Sequence, residues 1–297
     1  MSLNVLVAGA SGFLGTHLTQ VLEARGHTVT PLVRREPEAG QVRWDPEAGE
    51  VPQDAIEAAD VVVNLAGSPT AGNPHSASWA RELRESRVRG TATLADAIAA
   101  SDRKPAFLAG NGISYYGDHG RDPLDETADS RGDALLTDVT RDWQAATEPA
   151  RAAGARVCIL RTSPVLDDAA PPLQQLVWIF KLGLGARLGP GNQYFPCISL
   201  RDWTGAVAFL AEDERLSGPV NLCCPSTPTN AEFTAALASA VGRRARLFVP
   251  TPVLSVGAGR MAPELLNSVN AVPRVLLDAG FDFADVDIRD ILATALR

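Results

Sequence analysis

The sequence predicts an α/β protein built on a doubly wound parallel sheet with a smaller C-terminal lobe, and three observations carry that reading. An apolar run, Leu3 to Ala8, breaks into Gly9-Ala10-Ser11-Gly12-Phe13-Leu14-Gly15 and then into an amphipathic helix. Apolar runs then alternate with helical patterns as far as Val165, the order expected of parallel strands joined by right-handed crossover helices. Beyond Val165 the pattern turns irregular and rich in glycine and proline.

The first element fixes the expected ligand. Leu3, Val5, Leu6 and Val7 form the nearly continuous apolar run of a strand covered on both faces. Gly9 permits the tight turn off that strand, Gly12 lets the backbone approach a pyrophosphate, and Gly15 lets the helix lie close on the strand. The helix from Phe13 to Ala24 turns its unpaired N–H groups and positive dipole end toward the phosphates. Gly9, Ser11, Gly12, Phe13, Leu14 and Gly15 are therefore the first candidate cofactor contacts.

The next elements extend the sheet. His27 to Val33 reads as a second strand ending in Arg34-Arg35, where the chain should pass the adenosine ribose. A carboxylate there favours NAD, whereas a guanidinium pairs with a 2′-phosphate, so Arg34 and Arg35 predict NADP. Gln41 to Asp45 is a short third strand, and Asp60 to Ala66 is a fourth, leading into Asn64-Leu65-Ala66-Gly67. Small residues there would let the backbone pass beneath the adenine ribose. After a proline- and glycine-marked loop, Ser76 to Ala100 carries Trp79, Leu83, Val88, Leu94 and Ile98 at helical spacing, with Glu82 and Arg87 available to face the cofactor. Pro105 to Ala109 is a fifth strand, which empties into the polar turn Gly110-Asn111-Gly112-Ile113-Ser114-Tyr115-Tyr116-Gly117. Doubly wound folds place their chemistry at this carboxyl edge.

An acidic surface loop, Asp118 to Arg131, precedes one helix from about Asp133 to Ala153, and the sixth strand, Arg156 to Leu160, delivers Arg161 to Val165 to the same edge. Pro171 to Lys181 reads as an apolar helix, followed by an irregular glycine-rich stretch ending in Gln193-Tyr194-Phe195. Asp202 sits where it would cap a helix from Trp203 to Ala211; Pro219 to Cys223 is a strand, and Asn230 opens a helix with Glu232 in its first turn. The expected division is a dinucleotide-binding domain over 1–165 with returning pieces from about 201–224. A substrate-binding lobe would take 166–200 and 225–297.

Composition narrows the class. The 297 residues include 35 acidic and 27 basic ones, a net charge of −8, with the arginines scattered along the chain. No face is thus expected to track a nucleic-acid backbone. No apolar run is long enough to span a bilayer and the first strand begins at once, so the expectation is a cytoplasmic protein with a small-molecule substrate and no membrane partner. Cys158, Cys197, Cys223 and Cys224 lack zinc-ligand spacing and read as buried free thiols; the four histidines do not cluster, so no metal is expected.

With these pieces in place, the chain resembles the extended short-chain dehydrogenase/reductase superfamily, in particular its NAD(P)-dependent epimerase-like branch. The resemblance spans nearly the whole chain. It rests on Gly-Ala-Ser-Gly-Phe-Leu-Gly at 9 to 15, Asn-Leu-Ala-Gly at 64 to 67, Ser-Arg-Val at 86 to 88 and Tyr-Tyr-Gly at 115 to 117. It continues through Asp-Trp at 142, Leu-Arg-Thr at 160, Gly-Leu-Gly at 183, Gly-Asn-Gln at 191 and Ala-Gly-Phe at 279. It implies a Rossmann-type NADP-binding sheet and a C-terminal lobe that shapes a substrate cleft. By position, the family's cofactor contacts fall on the glycine turn, Arg34, Leu65, Ala66, Gly67, Glu82, Arg87 and Val165. Dimers are common in the superfamily, which leaves room for a homodimer here.

The departures are as informative. Most of the superfamily uses a Tyr-x-x-x-Lys pair, in which the ammonium lowers the phenol pKa and the tyrosine then exchanges a proton with the substrate oxygen. With lysine only at 104 and 181 and tyrosine only at 115, 116 and 194, this chain cannot contain that pair. Its expected positions fall on Leu136 and Thr140. The serine usual at the end of the fifth strand is Asn111, and the Trp-Ile-His usual before the Asp202 helix is Cys197-Ile198-Ser199.

Two functional readings follow. One is an NADP-dependent oxidoreductase or epimerase-like enzyme acting on a nucleotide sugar or other small carbonyl compound. Its candidates are Tyr115 or Tyr116 as acid, Asn111 and Ser114 binding an oxygen, and Arg161, Arg187 or Gln193 holding substrate. The other is a catalytically degenerate NADP-binding sensor or scaffold.

Overall fold

A backbone carbonyl explains why the first helix can lie where it does. In the computed structural model, which describes residues 2–296, a Cβ placed on Gly15 would sit 2.1 Å from the Gly9 carbonyl oxygen. Glycine alone allows helix α1 (Phe13–Ala24) to leave strand β1 (Asn4–Ala8) at that distance. Gly9 itself has φ of +84°, the left-handed region an L side chain avoids, and its Cβ would meet Leu65 backbone at 2.7 Å.

From there the chain adds β2 (Thr28–Val33), β3 (Val42–Arg43), α2 (Gln53–Ala58), β4 (Val61–Asn64), α3 (Ala77–Ala100) and β5 (Ala106–Gly112). Next come β6 (Pro123–Leu124), α4 (Leu135–Ala145), α5 (Glu148–Ala152), β7 (Val157–Thr162), β8 (Val165–Leu166) and α6 (Pro171–Lys181). The remainder is β9 (Ala186–Leu188), β10 (Ile198–Ser199), α7 (Leu200–Glu212), β11 (Gly218–Leu222), α8 (Asn230–Ala240), β12 (Leu247–Val249), α9 (Thr251–Gly257), α10 (Ala262–Leu266), β13 (Asn270–Ala271), α11 (Arg274–Asp278) and α12 (Ile288–Ala295).

Seven strands form one sheet in the order β11-β7-β5-β4-β1-β2-β3. β1 lies parallel between β2 and β4, with Val7 opposite Pro31 on one side and Val63 on the other. The strand order reverses after β1, where a doubly wound sheet leaves a crevice at its carboxyl edge. The expected doubly wound α/β sheet is therefore present. Its central strands are buried on both faces, as β4 shows with four of four residues inside.

By its internal contacts the chain divides into two units. The first comprises residues 1–111, 139–160 and 204–220; the second comprises 112–138, 161–203 and 221–297. Within the first, Leu6, Ala8, Leu32, Val62, Leu94, Ile98 and Phe107 share one apolar core. Within the second, Leu166, Leu173, Phe180, Cys197, Phe233, Leu237 and Ile291 form another. All four cysteines are free and buried.

Several local expectations are revised. The single helix expected over 133–153 is two, because Pro149 opens a new first turn at α5 and Thr147 Oγ1 bonds back to the Gln144 carbonyl. Asp202 does not cap its helix. Ser199 Oγ accepts from the Asp202 N–H instead, and the Asp202 carboxylate accepts from the N–H groups of Ala284 at 2.9 Å and Asp285 at 2.8 Å. The glycine-rich stretch after α6 contains β9, which pairs in parallel with β12, and the acidic loop contains β6, which pairs with β13. α8 begins with a complete capping box, Thr229 and Glu232 each satisfying the other's backbone N–H.

The glycine geometry makes a direct prediction. Gly15→Ala must displace backbone and should cost about 1–3 kcal/mol, lowering the thermal midpoint by several degrees. Gly12→Ala, at an N-cap where alanine is poorer than glycine and where its Cβ would meet the Gly9 carbonyl at 3.3 Å, should cost less, about 0.5–1 kcal/mol. Thermal denaturation of the two variants side by side checks the difference.

Candidate functional site

The first unit carries a cradle for an anion. Gly12 is the N-cap of α1 with extended backbone, no side chain caps the helix, and no acidic residue occupies its first turn. The first-turn N–H groups from Phe13 and Leu14 onward therefore present a positive partial charge at the helix N-terminus. The single contact of a Gly12 Cβ, with Gly9 oxygen at 3.3 Å, leaves the space above the turn clear of protein. Ser11 is exposed beside it. These features fit a pyrophosphate.

The flanking candidates divide by what already holds them. Arg34 follows β2 directly, is exposed, and makes no ion pair among the described residues. Arg35 is tied to Glu38 by a 2.8 Å ion pair. At the end of β4 the Leu65 N–H donates to the Ala8 carbonyl at 2.8 Å and the Ala66 N–H to Asn64 Oδ1 at 3.1 Å, which draws this segment under the glycine turn. Gly67 leaves room for Arg87, whose side chain a Cβ there would approach to 3.2 Å. Arg87 Nη1 donates to the carbonyls of Ser68 and Leu83, at 3.1 and 3.0 Å, and its guanidinium lies 5.3 Å from the Trp143 ring. Burial lowers its pKa to about 10, so it stays charged at neutral pH. Glu82 is exposed on α3, and its backbone carbonyl accepts from Ser68 Oγ. Asn111 is buried and donates to the Thr140 carbonyl at 3.1 Å, which makes it a brace between β5 and α4.

The second unit gathers most of the catalytic candidates around the turn that follows β5. Ser114, Tyr115 and Tyr116 lie in a short 3-10 turn, Ile113–Tyr116, closed by Gly117 at φ +71°. A Cβ on Gly117 would strike the Arg131 carbonyl at 1.9 Å. Tyr116 is fully buried, its hydroxyl donating to Asn221 Oδ1 at 2.7 Å and accepting from Arg161 Nη1 at 2.8 Å. Burial, first among the causes, raises its pKa to about 12. Both of these partners lie within the unit, and the neighbouring candidate is Tyr115. That ring is half-buried and stacks on the Arg161 guanidinium at 3.7 Å. Among the described residues, nothing bonds its hydroxyl.

Arg161 is itself buried, at 2% exposure, and also donates to the Glu126 carbonyl at 3.2 Å. Its guanidinium lies against the rings of both tyrosines. Gln193 is likewise buried. Its amide nitrogen donates to the carbonyls of Leu188 and Leu265, while Oε1 has no partner among the described residues. Arg187 is exposed on β9, with its stem packed over Gly191. Val165 opens β8, paired with Ile198.

One residue escaped the sequence reading. Glu264 on α10 accepts a 2.5 Å hydrogen bond from Ser114 Oγ, from 150 positions along the chain. Burial raises its carboxyl pKa, partly opposed by the serine hydrogen bond. A glutamate in the run Ala-Pro-Glu-Leu-Leu has no sequence signal of its own; only the fold brings it to the turn.

Comparison with known proteins agrees with this architecture. Residues 5–165 match the model of the NAD dependent epimerase/dehydratase family, and residues 249–295 match a domain of unknown function, DUF1731. The chain is 40% identical over 293 residues to epimerase family protein Mb2239 of Mycobacterium bovis, covering 98% of this chain and 97% of that one. Among solved structures, human epimerase family protein SDR39U1 (isoform 2) with NADPH superposes with a TM-score of 0.87 at 31% identity, covering 98% of each chain. A nucleoside-diphosphate sugar epimerase from Corynebacterium glutamicum gives 0.82 at 33% identity, over all of this chain and 58% of that one. The class defined by fold and glycine turn is thus the extended short-chain dehydrogenase/reductase. The chain belongs to the NAD dependent epimerase/dehydratase family.

Tyr116 offers a clean alkaline test. Because its pKa is higher in the folded than in the unfolded protein, its contribution is complete below about pH 10 and is lost as pH rises toward about 12. Unfolding free energy should fall by up to roughly 2–3 kcal/mol across that window. Urea titrations of the parent and Tyr116→Phe should show this slope in the parent and its loss in the variant, whose neutral stability drops by about 1–2 kcal/mol.

Proposed function

We propose that the protein is an NADP-dependent oxidoreductase or epimerase-like enzyme that handles its substrate proton without a Tyr-x-x-x-Lys pair. The observation that carries the cofactor is the glycine cradle with an unpaired Arg34 at the end of the adjoining strand. The glycine turn and α1 N-terminus would hold the pyrophosphate, with Leu65, Ala66 and Gly67 beneath the adenosine and Arg34 on a 2′-phosphate. The human relative crystallised with NADPH supports the same choice. When bound, the nicotinamide supplies or accepts the hydride.

Everything else falls to the chain's own side chains. Moving a hydride to or from a carbon that bears oxygen requires a proton to move at that oxygen. Ser114 and Glu264 are built for that exchange. As a substrate hydroxyl gives its proton to Ser114 Oγ, the serine proton passes along the 2.5 Å bond to the Glu264 carboxylate. A carboxyl whose pKa burial has raised holds that proton more readily and can return it. Tyr115, its ring fixed on Arg161 and its hydroxyl unbonded, is the second donor to the same oxygen. The substrate class is a nucleotide sugar or other small carbonyl compound. The likeness to a protein named as a nucleoside-diphosphate sugar epimerase supports that reading.

Two measurements test the proposal. In a binding titration, NADPH should bind about 10- to 100-fold more tightly than NADH, because a charge-assisted contact contributes roughly 1.5–3 kcal/mol, and Arg34→Ala should erase most of that preference. Failure of either nucleotide to bind would overturn the cofactor assignment.

Glu264→Gln separates catalysis from structure. The variant keeps a hydrogen-bonding partner for Ser114 but removes a carboxylate that is costly to ionise in place. Because the folded pKa is raised, that cost is present above the unfolded carboxyl pKa and vanishes in acid. The variant should therefore be at least as stable as the parent at pH 7 to 8, while turnover in a screen of carbonyls, alcohols and nucleotide sugars falls on the order of 100-fold. A less stable, fully active variant would assign Glu264 to structure. NADPH binding without turnover of any compound in the parent would favour the sensor reading.

A further inference from the structure

The charge of this protein is unevenly distributed. Residues 169–201 and 233–263 contain no aspartate or glutamate, yet hold Lys181, Arg187, Arg201, Arg243, Arg244, Arg246 and Arg260. Seven basic and no acidic residues in these two stretches, against −8 for the whole, leave −15 on the rest of the chain.

The second unit brings the two stretches together. β12 pairs with β9 along its length, Leu247 opposite Ala186 and Phe248 opposite Arg187. Arg243 Nε donates to the Lys181 carbonyl at 3.0 Å. α9 follows β12 directly, and a Cβ on Gly189 would lie 3.1 Å from Thr251 Oγ1. The two stretches thus form one region of α6, the 182–184 turn, the β9–β12 ribbon and α9.

Two properties set this region apart. It holds eight of the ten large apolar side chains that stand exposed among the described residues: Trp178, Ile179, Leu182, Leu184, Leu247, Phe248, Val253 and Val256. Trp178 is 69% exposed and Val256 77%. It also holds six exposed cations, all of its basic residues except Arg201, and none of the six makes an ion pair among the described residues. Elsewhere the opposite is common, as the pairs Arg25–Glu212, Arg84–Asp142, Arg103–Asp60 and Arg215–Asp213 show.

We propose that this face docks on an anionic phospholipid bilayer. A lipid surface asks for apolar side chains that enter the acyl boundary, cations that reach the phosphates, and no carboxylates to be repelled. Both kinds of residue are interleaved here, as Trp-Ile-Phe-Lys-Leu at 178 to 182 and Arg-Leu-Phe at 246 to 248 show. A second copy mated symmetrically would set the six cations against their own counterparts. Successive strand residues point to opposite faces, so exposure of both Leu247 and Phe248 leaves both sides of the ribbon uncovered. That suits an element that inserts rather than one that lies flat. Among the described residues no helix is long and apolar enough to cross a membrane, so the contact is peripheral.

Co-sedimentation of the full chain with phosphatidylcholine vesicles, with and without phosphatidylserine, tests the proposal. The protein should pellet with the phosphatidylserine vesicles alone and be released as salt is raised toward about 0.5 M. Arg244→Gln with Arg246→Gln should weaken the partition roughly 30-fold, about five-fold per cation. Phe248→Ser with Val256→Ser should weaken it independently of salt. Both double variants change exposed residues, so their thermal midpoints and NADPH affinity should match the parent, which keeps loss of docking distinct from loss of the cofactor site. Absence of sedimentation at low salt, sedimentation unaffected by either double variant, or equal sedimentation with pure phosphatidylcholine would overturn the proposal. So would a dimer in solution that Phe248→Ser dissociates, since the face would then be an interface between copies.

Discussion

The second unit depends on one buried cation. Taking a guanidinium out of water is costly unless its donors and its charge are met, and around Arg161 an aromatic face and two acceptors on one nitrogen offset that cost while Nε keeps no hydrogen bond among the described residues. The ring of Tyr115 covers one face at 3.7 Å, while the Tyr116 hydroxyl and the Glu126 carbonyl accept from one nitrogen. Tyr116 passes the connection to Asn221, whose own N–H donates to the Glu126 carboxylate at 3.0 Å. Glu126 also accepts from the N–H of Val275. The ends of β5, β7 and β11 and the first turn of α11 are therefore locked through one polar network. Such a network has few alternative arrangements, because leaving any member unpaired in the interior is expensive. Its consequence at the surface is a fixed Tyr115 and, one residue earlier, a fixed Ser114.

The network also changes what the missing lysine means. In the familiar arrangement an ammonium four residues along the helix from the tyrosine provides the local positive charge. Here the helix positions where that pair is expected are Leu136, half-buried, and Thr140, buried. Positive charge has not left the region; it comes from β7 as Arg161 and lies against an aromatic face rather than beside a phenol oxygen. A guanidinium in that position orients the ring and leaves the hydroxyl to solvent and ligand. A carboxyl stands at the same turn, that of the half-buried Glu264, which accepts from Ser114 Oγ.

How much of this was legible depended on the range over which each signal acts. The glycine turn, β1 and α1 are local: glycine at 15 is required by the Gly9 carbonyl and glycine at 9 by its own positive φ, so the sequence pattern and the geometry coincide. The sheet followed from alternation of apolar runs and helices, which is also local. Glu264 was not legible because its partner lies 150 positions away and its neighbours give it no pattern. Arg161 and Gln193 stand out in the sequence, but their burial does not, since a sequence does not say whether a polar residue at the carboxyl edge turns outward or is buried in a network. Asp202 was read as a cap because it precedes a helix, yet Ser199 was already in place for that task and the carboxylate was drawn to two N–H groups some eighty residues on.

Charge was the other quantity that averaging concealed. A net −8 with basic residues strewn along the chain describes a surface without any strong feature. That description holds only if acids and bases mix at the scale of the fold. Parallel pairing of β9 with β12 joins two stretches lacking any carboxylate, so cations that would each find an acid partner elsewhere find none. Unpaired arginines and uncovered aromatic and aliphatic side chains then share one region of the unit. Acid-free stretches count for more than overall charge in such a chain, because the Debye length of about 8 Å at physiological salt confines each surface charge to its immediate neighbours. A distant excess of carboxylates therefore does little to cancel a cationic face. Among the described residues, the unpaired cations of this region are Lys181, Arg187, Arg243, Arg244, Arg246 and Arg260, and Asp168 is a carboxylate that lines the same cleft as Trp178 and Lys181.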